Sequence, residues 1–317
     1  MNDAKAADSQ TDKRRGYRLL VENWRQVLAM LFLGFSAGLP LLLIFSTLSL
    51  WLREAGVDRS AVTYFSWAAL GYSFKFVWAP LVDKLPLPFL HRHMGKRRSW
   101  LLLAQVMVMS AMIWMAMNDP SSASGLHYMA FAAVMLGFSS ATQDIVIDAF
   151  RIEAVQSDVQ ALMASTYVAG YRVGMIVAGA AALYLADWLG TTRENYQYIA
   201  WQLTYLAMAG AMLVGIFTTL SIREPARTQE SSYLHTSRDY FRFVLLFAGF
   251  VSAIILAYLS LSGVVAATKN WLVQAGAIEE LASFVAEAFR LLTALVAALF
   301  AGWLLVRIRL ADRRMLR

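Results

Sequence analysis

Long apolar blocks separated by short polar ones run from Gln26 almost to the end of the chain. They lack the two-residue alternation of a barrel strand. A hydrocarbon layer of roughly 30 Å takes about 20 helical residues at 1.5 Å each. Eight blocks fit that scale: 26–52, 61–83, 99–117, 127–149, 161–187, 197–220, 243–267 and 281–306. In lipid the backbone must satisfy its own hydrogen bonds, which leaves helices or a closed barrel. The pattern selects helices, so the fold class expected is all-α and integral to a membrane.

Charge orients these spans. Only 15% of the 317 residues are charged and 59% are hydrophobic, against about 25% charged in a soluble domain. The basic residues cluster beside apolar blocks, as they do where they set membrane topology. Six lie in the tail 1–25, among them Lys13, Arg14, Arg15, Arg18 and Arg25. Lys84, Arg92, Lys96, Arg97 and Arg98 follow the second span, and Arg307, Arg309, Arg313, Arg314 and Arg317 follow the eighth. Both termini are therefore expected in the cytoplasm. The segment after the fourth span, with Arg151, Glu153 and Asp158, is a weak exception. The net charge of +7 is absorbed by this topology, and no nucleic-acid partner is expected. The first block is too long for a signal-peptide core. With no cysteine and four unpaired histidines, neither a metal site nor a cofactor is expected. His235 and Asp239 stand close but without a supporting cluster, so an enzyme is not expected.

A polar segment at 221–242, beginning Ser221-Ile-Arg-Glu-Pro, divides six spans at 26–220 from two at 243–306 and a basic tail at 307–317. Several carriers are built from six-helix halves, each of two inverted triplets. The expectation is a truncated form of a longer carrier, with a natural short protein as the alternative.

Charges inside lipid are costly and mark cavities or pairs. Lys75 lies eight residues before Asp83, about 12 Å into the second span. It either snorkels to the interface or faces a solute. Arg172 lies eleven residues into the fifth span, roughly 16 Å deep, among Gly170, Gly174 and Gly179. It is expected to face the bundle interior, with a structural ion pair as the alternative. Gln143, Asp144, Asp148 and Arg151 end the fourth span. The last three share one helical face. Asp144 is the candidate proton carrier, because desolvation raises a carboxylate pKa, with Asp148 as its neighbour. For Asp148 and Arg151 a simple intrahelical pair is the better reading. Each of Lys75 and Arg172 follows a Gly-Tyr pair, Gly71-Tyr72 and Gly170-Tyr171. Two cations on one cavity would suit an anionic solute, with Gln143, Tyr72, Tyr171 and Trp67 as further contacts. The aromatic residues Tyr64, Trp67, Tyr72 and Trp78 read equally as packing or interface anchors. Gly34, Gly38 and Pro40 predict close packing and a kink in the first span. Glu287 and Arg290 are expected to satisfy each other.

Asp83 followed by Gly95-Lys96-Arg97-Arg98 resembles the cytoplasmic loop characteristic of the major facilitator superfamily, with a longer spacing. The strings GFSAGLPLLL, YSFKFVWAPLVD, SSATQDIVIDAF and GYRVGMIVAGAAALYLAD are similar to the AmpG-type muropeptide permeases over about residues 26–227. The resemblance implies a six-helix N-terminal domain plus two extra transmembrane helices in the bacterial inner membrane. It implies proton-driven import of 1,6-anhydro-muropeptides, by alternating access against a C-terminal half, for peptidoglycan recycling and, in some bacteria, β-lactamase induction. Asp83, Gly95, Arg97 and Arg98 would then form a cytoplasmic latch, with Arg151 at the same mouth. The partners implied are an anionic glycopeptide, protons and lipid. A carrier of another anion such as acetyl-CoA, or a fragment that transports nothing, remain the alternatives.

Overall fold

The structure is a computed structural model and describes residues 21–58, 65, 70–225, 237–276 and 278–307. Among the described residues there is no strand, and six helices are long and apolar enough to cross a membrane. Helices α1 (Trp24–Glu54), α3 (Lys96–Ala116), α4 (Ala123–Ala154), α5 (Ser157–Trp188) and α6 (Tyr198–Ser221) match predicted spans to within a few residues. The second predicted span is seen as a turn at Leu70–Ser73 and α2 (Lys75–Lys84). Its beginning, with Tyr64 and Trp67, lies outside the described residues, as do 1–20 and 308–317.

The chain forms two compact units, divided between Thr228 and Gln229. In the first, α1 runs along α5 in the most extensive contact of the unit. Gly34 and Gly38 face the backbone of Tyr167 and Tyr171, while Gly170 and Gly174 face that of Leu31 and Phe35. A Cβ at any of the four would enter the opposing carbonyl. These paired small residues are what lets two lipid-embedded helices meet, since lipid supplies no hydrophobic drive. Helix α1 continues through Pro40 and breaks five residues later, at Phe45. Helix α5 holds a π-helical turn at Val177–Ala181. The two irregularities lie together, and the Thr47 hydroxyl donates to the Ala178 carbonyl at 2.8 Å.

Helix α3 packs on α4 and α6, α1 on α4 and α6, and α2 on α4. Two apolar clusters fill the interior. One contains Leu39, Leu43, Trp51, Met112, Trp201 and Tyr205; the other contains Met30, Leu33, Val82, Leu101, Val146 and Phe150. Between them in chain order fall Ser36, Gln105 and Gln143, all fully buried. Gln143 Nε2 donates to Ser36 Oγ at 3.0 Å, and Thr219 Oγ1 donates to Gln105 Oε1 at 2.8 Å. Buried amides demand partners; these bonds tie α1 to α4 and α3 to α6, while Gln105 Nε2 and Gln143 Oε1 have none among the described residues.

The end of the bundle holding Glu54 is closed by aromatic residues. Trp51 stacks on Trp201, with ring centres 5.7 Å apart and planes within 6°. Glu54 accepts from Trp201 Nε1 at 2.8 Å and Thr191 Oγ1 at 3.0 Å. Tyr196 accepts from Trp51 Nε1 and donates to Asp119 at 2.8 Å. Burial pushes the Tyr196 phenol above its ordinary pKa, so it remains protonated for that second bond.

The second unit comprises α7 (Ser237–Ser260), α8 (Ser262–Gln274) and α9 (Glu279–Arg307). The seventh predicted span is thus interrupted at Leu261, and the eighth is one helix of 29 residues. Ala282, Ala286 and Ala294 are buried among its described residues. Arg290 bonds Glu287 at 3.3 Å, donates to the Tyr258 carbonyl at 2.7 Å and lies over the Tyr258 ring. The expected Glu287–Arg290 pair is therefore present, joined by Tyr258.

Candidate functional site

Helix α5 is the open side of the first unit. Its most apolar stretch is 22% buried, against 67% for α4 and 61% for α1. Arg172 sits on that side, exposed, with no hydrogen bond or ion pair among the described residues. It lines a shallow depression of about 320 Å³ with Tyr167, Val168, Tyr171 and Met175. The glycines that seat α5 on α1 leave Arg172 pointing away from that contact. Within this unit Arg172 therefore faces an uncovered surface, not the interior expected from the sequence.

Beside it, tyrosines and charges from three helices converge. The Tyr167 and Tyr171 rings lie 6.0 Å apart, and the Tyr167 hydroxyl donates to Asp144 at 3.4 Å. Asp144 also interacts electrostatically with Lys75 and Asp148, and its charge reaches Tyr72 and Tyr171. The Tyr72 hydroxyl is committed to Ser140 at 2.8 Å and Trp78 Nε1 to Thr142 at 3.1 Å. Both pin α2 to α4. Lys75 therefore stands opposite a carboxylate, whereas Arg172 has none. Gln143 is fully buried, with its Nε2 on Ser36, and is not among the residues lining the depression. Trp67 lies outside the described residues. Tyr167 was not anticipated, although it is one turn from Tyr171 on the same face.

A second constellation gathers at the opposite end from Glu54. Arg97 is buried and bonds Asp83 at 2.7 Å and both carboxylate oxygens of Glu153, through Nε at 2.9 Å and through Nη2. Lys96 donates to the Asp83 carbonyl at 2.8 Å. The first N–H groups of a helix lack partners. Here the Glu224 carboxylate accepts those of Arg97 and Arg98 at 2.8 and 3.0 Å. In return the Arg98 guanidinium donates to the Thr219 and Leu220 carbonyls at the end of α6. Gly95 has φ +85°, and a side chain there would collide with Glu224. Asp83, Gly95, Arg97 and Arg98 thus come together. Arg151 stays apart, on Asp148 at 3.2 Å. Glu153 and Glu224 complete the group and were not anticipated. The signal for Glu153 was its very mismatch with the positive surroundings.

Among the described residues no group of three or more potential ligands could hold a metal ion.

The model of the Major Facilitator Superfamily matches residues 27–317. An anhydromuropeptide permease of Escherichia coli is 37% identical over 219 residues, 67% of this chain and 41% of that protein. Proteins named as AmpG 4 transporters are 36% identical over 221 residues in Rickettsia conorii and 40% over 199 in Rickettsia felis. These alignments cover 66% and 62% of this chain, and 51% and 45% of those proteins. The chain spans about half the length of the curated relatives it matches. With its predicted all-α membrane fold and its latch-like loop now set beside a family match over most of the sequence, the chain belongs to the major facilitator superfamily, as a multi-pass protein of the inner membrane.

Proposed function

We propose that this chain forms the N-terminal half of a carrier for 1,6-anhydro-muropeptides, moving them from periplasm to cytoplasm. The observation that carries the reading is Arg172, a guanidinium in mid-helix with no anionic partner among the described residues, beside the Tyr167–Tyr171 pair. Such a group suits a solute that brings its own carboxylate, and the tyrosine rings suit a sugar. A muropeptide offers both, and the name of the E. coli relative supports that choice. Lys75, Tyr72 and Tyr171 would complete the contact surface. Asp144 would carry the coupled proton, with Asp148 tuning it.

The open side of α5 would meet a second six-helix half, and alternating access would follow from rocking of the two. In this reading the Asp83–Arg97–Glu153 cluster is a cytoplasmic latch, broken and remade in each cycle. Uptake of labelled anhydro-muropeptide into membrane vesicles tests the proposal. Accumulation should require an inward proton gradient and be competed by unlabelled muropeptide. Competition by acetyl-CoA instead would reassign the solute, and gradient-independent uptake would remove Asp144 from the mechanism.

A further inference from the structure

The segment between α2 and α3 is wound into a spur rather than a slack connection. Leu90 N–H donates to the Pro88 carbonyl at 2.8 Å, closing a three-residue γ-turn on Phe89. Phe89 takes φ 66° and ψ −56°, and it is the one non-glycine residue at positive φ among the described residues. His91 N–H bonds the Leu87 carbonyl and Gly95 N–H the His91 carbonyl, both at 3.1 Å. His93 Nδ1 meets the Phe89 carbonyl at 3.1 Å, and Trp100 Nε1 donates to the Leu85 carbonyl at 2.7 Å. Strain of this kind persists only where the surroundings hold it. Here it aims an aromatic ring outward: Phe89 is 83% exposed and the adjoining Leu90 38%.

The charge around the ring is one-sided. Lys84 and Arg92 are exposed and make no ion pair or hydrogen bond among the described residues. The nearby carboxylates are already committed, Asp83 and Glu153 to Arg97 and Glu224 to the first N–H groups of α3. The spur therefore presents an apolar tip with uncompensated cations at its base. It does so where α2 ends and α3 begins, at the end of the bundle opposite Glu54.

We propose that this spur is a docking surface for the acidic headgroup layer of the leaflet at that end of the bundle. The Phe89 ring enters the boundary between headgroups and acyl chains, and Lys84 and Arg92 contact lipid phosphates. The pairing of an aromatic wedge with a basic rim matches a negatively charged bilayer surface. It does not match a protein face, which would need carboxylates set against both cations.

The chain has no cysteine, so Phe89→Cys gives a unique attachment point for a nitroxide, itself an apolar ring. The protein is placed in nanodiscs of phosphatidylcholine alone or mixed with phosphatidylglycerol. The expected result is about fivefold lower accessibility of the label to a water-soluble relaxation agent in the acidic bilayer. Lys84→Gln combined with Arg92→Gln should abolish the difference. A label at Leu90→Cys keeps Phe89 in place and must report the same contrast. Equal accessibility in the two bilayers overturns the proposal, whether the label is open in both or shielded in both, the latter being what a protein occupant would give.

Discussion

Two arginines of the first unit show how differently one side chain can be used in a membrane protein. Arg97 is buried, joined to two carboxylates, and its backbone N–H is capped by a third. Arg172 is exposed, deep within a helix, and makes no bond among the described residues. The first has its charge matched inside the fold, so its removal should be felt in stability. The second has its charge left over, so its removal should be felt only when a solute arrives. Burial alone would have ranked them the other way, with the hidden residue as the functional one.

The sharpest test of the contrast is Arg172→Ala in a transport-competent protein. Uptake should fall about a hundredfold, or roughly 2.7 kcal/mol, with the melting temperature in detergent unchanged. An equal loss of thermal stability would make Arg172 a structural residue. Arg97→Ala should instead lower stability, and transport should slow as well because the proposed latch loses its cation. Removing one member of a buried ion pair costs about 3–5 kcal/mol. Asp83 and Glu153 reach water, with side chains 43% and 30% exposed, so about 2 kcal/mol is expected in chemical or thermal unfolding.

Smaller effects refine the picture. Reversing charge with Asp83→Lys should slow transport about tenfold, near 1.4 kcal/mol. Equilibrium solute binding, followed by scintillation proximity, should barely change. Weakened binding of the same size would place Asp83 in the solute path instead of the latch. Glu224→Gln removes only the charge from the cap on α3 and should cost about 0.5–1 kcal/mol of stability. Uptake by that variant should stay near wild type.

Much of the fold was legible because lipid thickness dictates helix length, and α1 and α3–α6 fall where apolar length places them. The close approach of α1 and α5 was readable from Gly34, Gly38, Gly170 and Gly174. What hydropathy does not encode is partnership. Glu153 counted as an exception to the positive-inside pattern until Arg97 was seen to consume its charge. Glu224 lay in a segment read as a boundary, yet it caps α3 across more than a hundred residues of chain. Tyr167 was overlooked because a tyrosine in an apolar helix carries no distinguishing signal. Similarly, Pro40 announced a kink, but the break falls at Phe45, where Tyr205 bonds the nearby Leu43 carbonyl at 2.9 Å and Thr47 reaches across to α5. Proline weakens a helix, and the neighbours decide where the weakness is used.

The wide turn at Val177–Ala181 acts like one residue inserted in an α-helix. Each residue advances a helix by about 100°, so the turn swings everything beyond it around the axis relative to Arg172. The outer end of α5 can then keep Ala182 and Ala186 inward while the inner end turns Arg172 outward. Deleting a single alanine from that turn would leave a regular α-helix with the packing stripe and the cation on nearly their present sides, whereas straightening the turn with every residue kept would swing one against the other by about 100°.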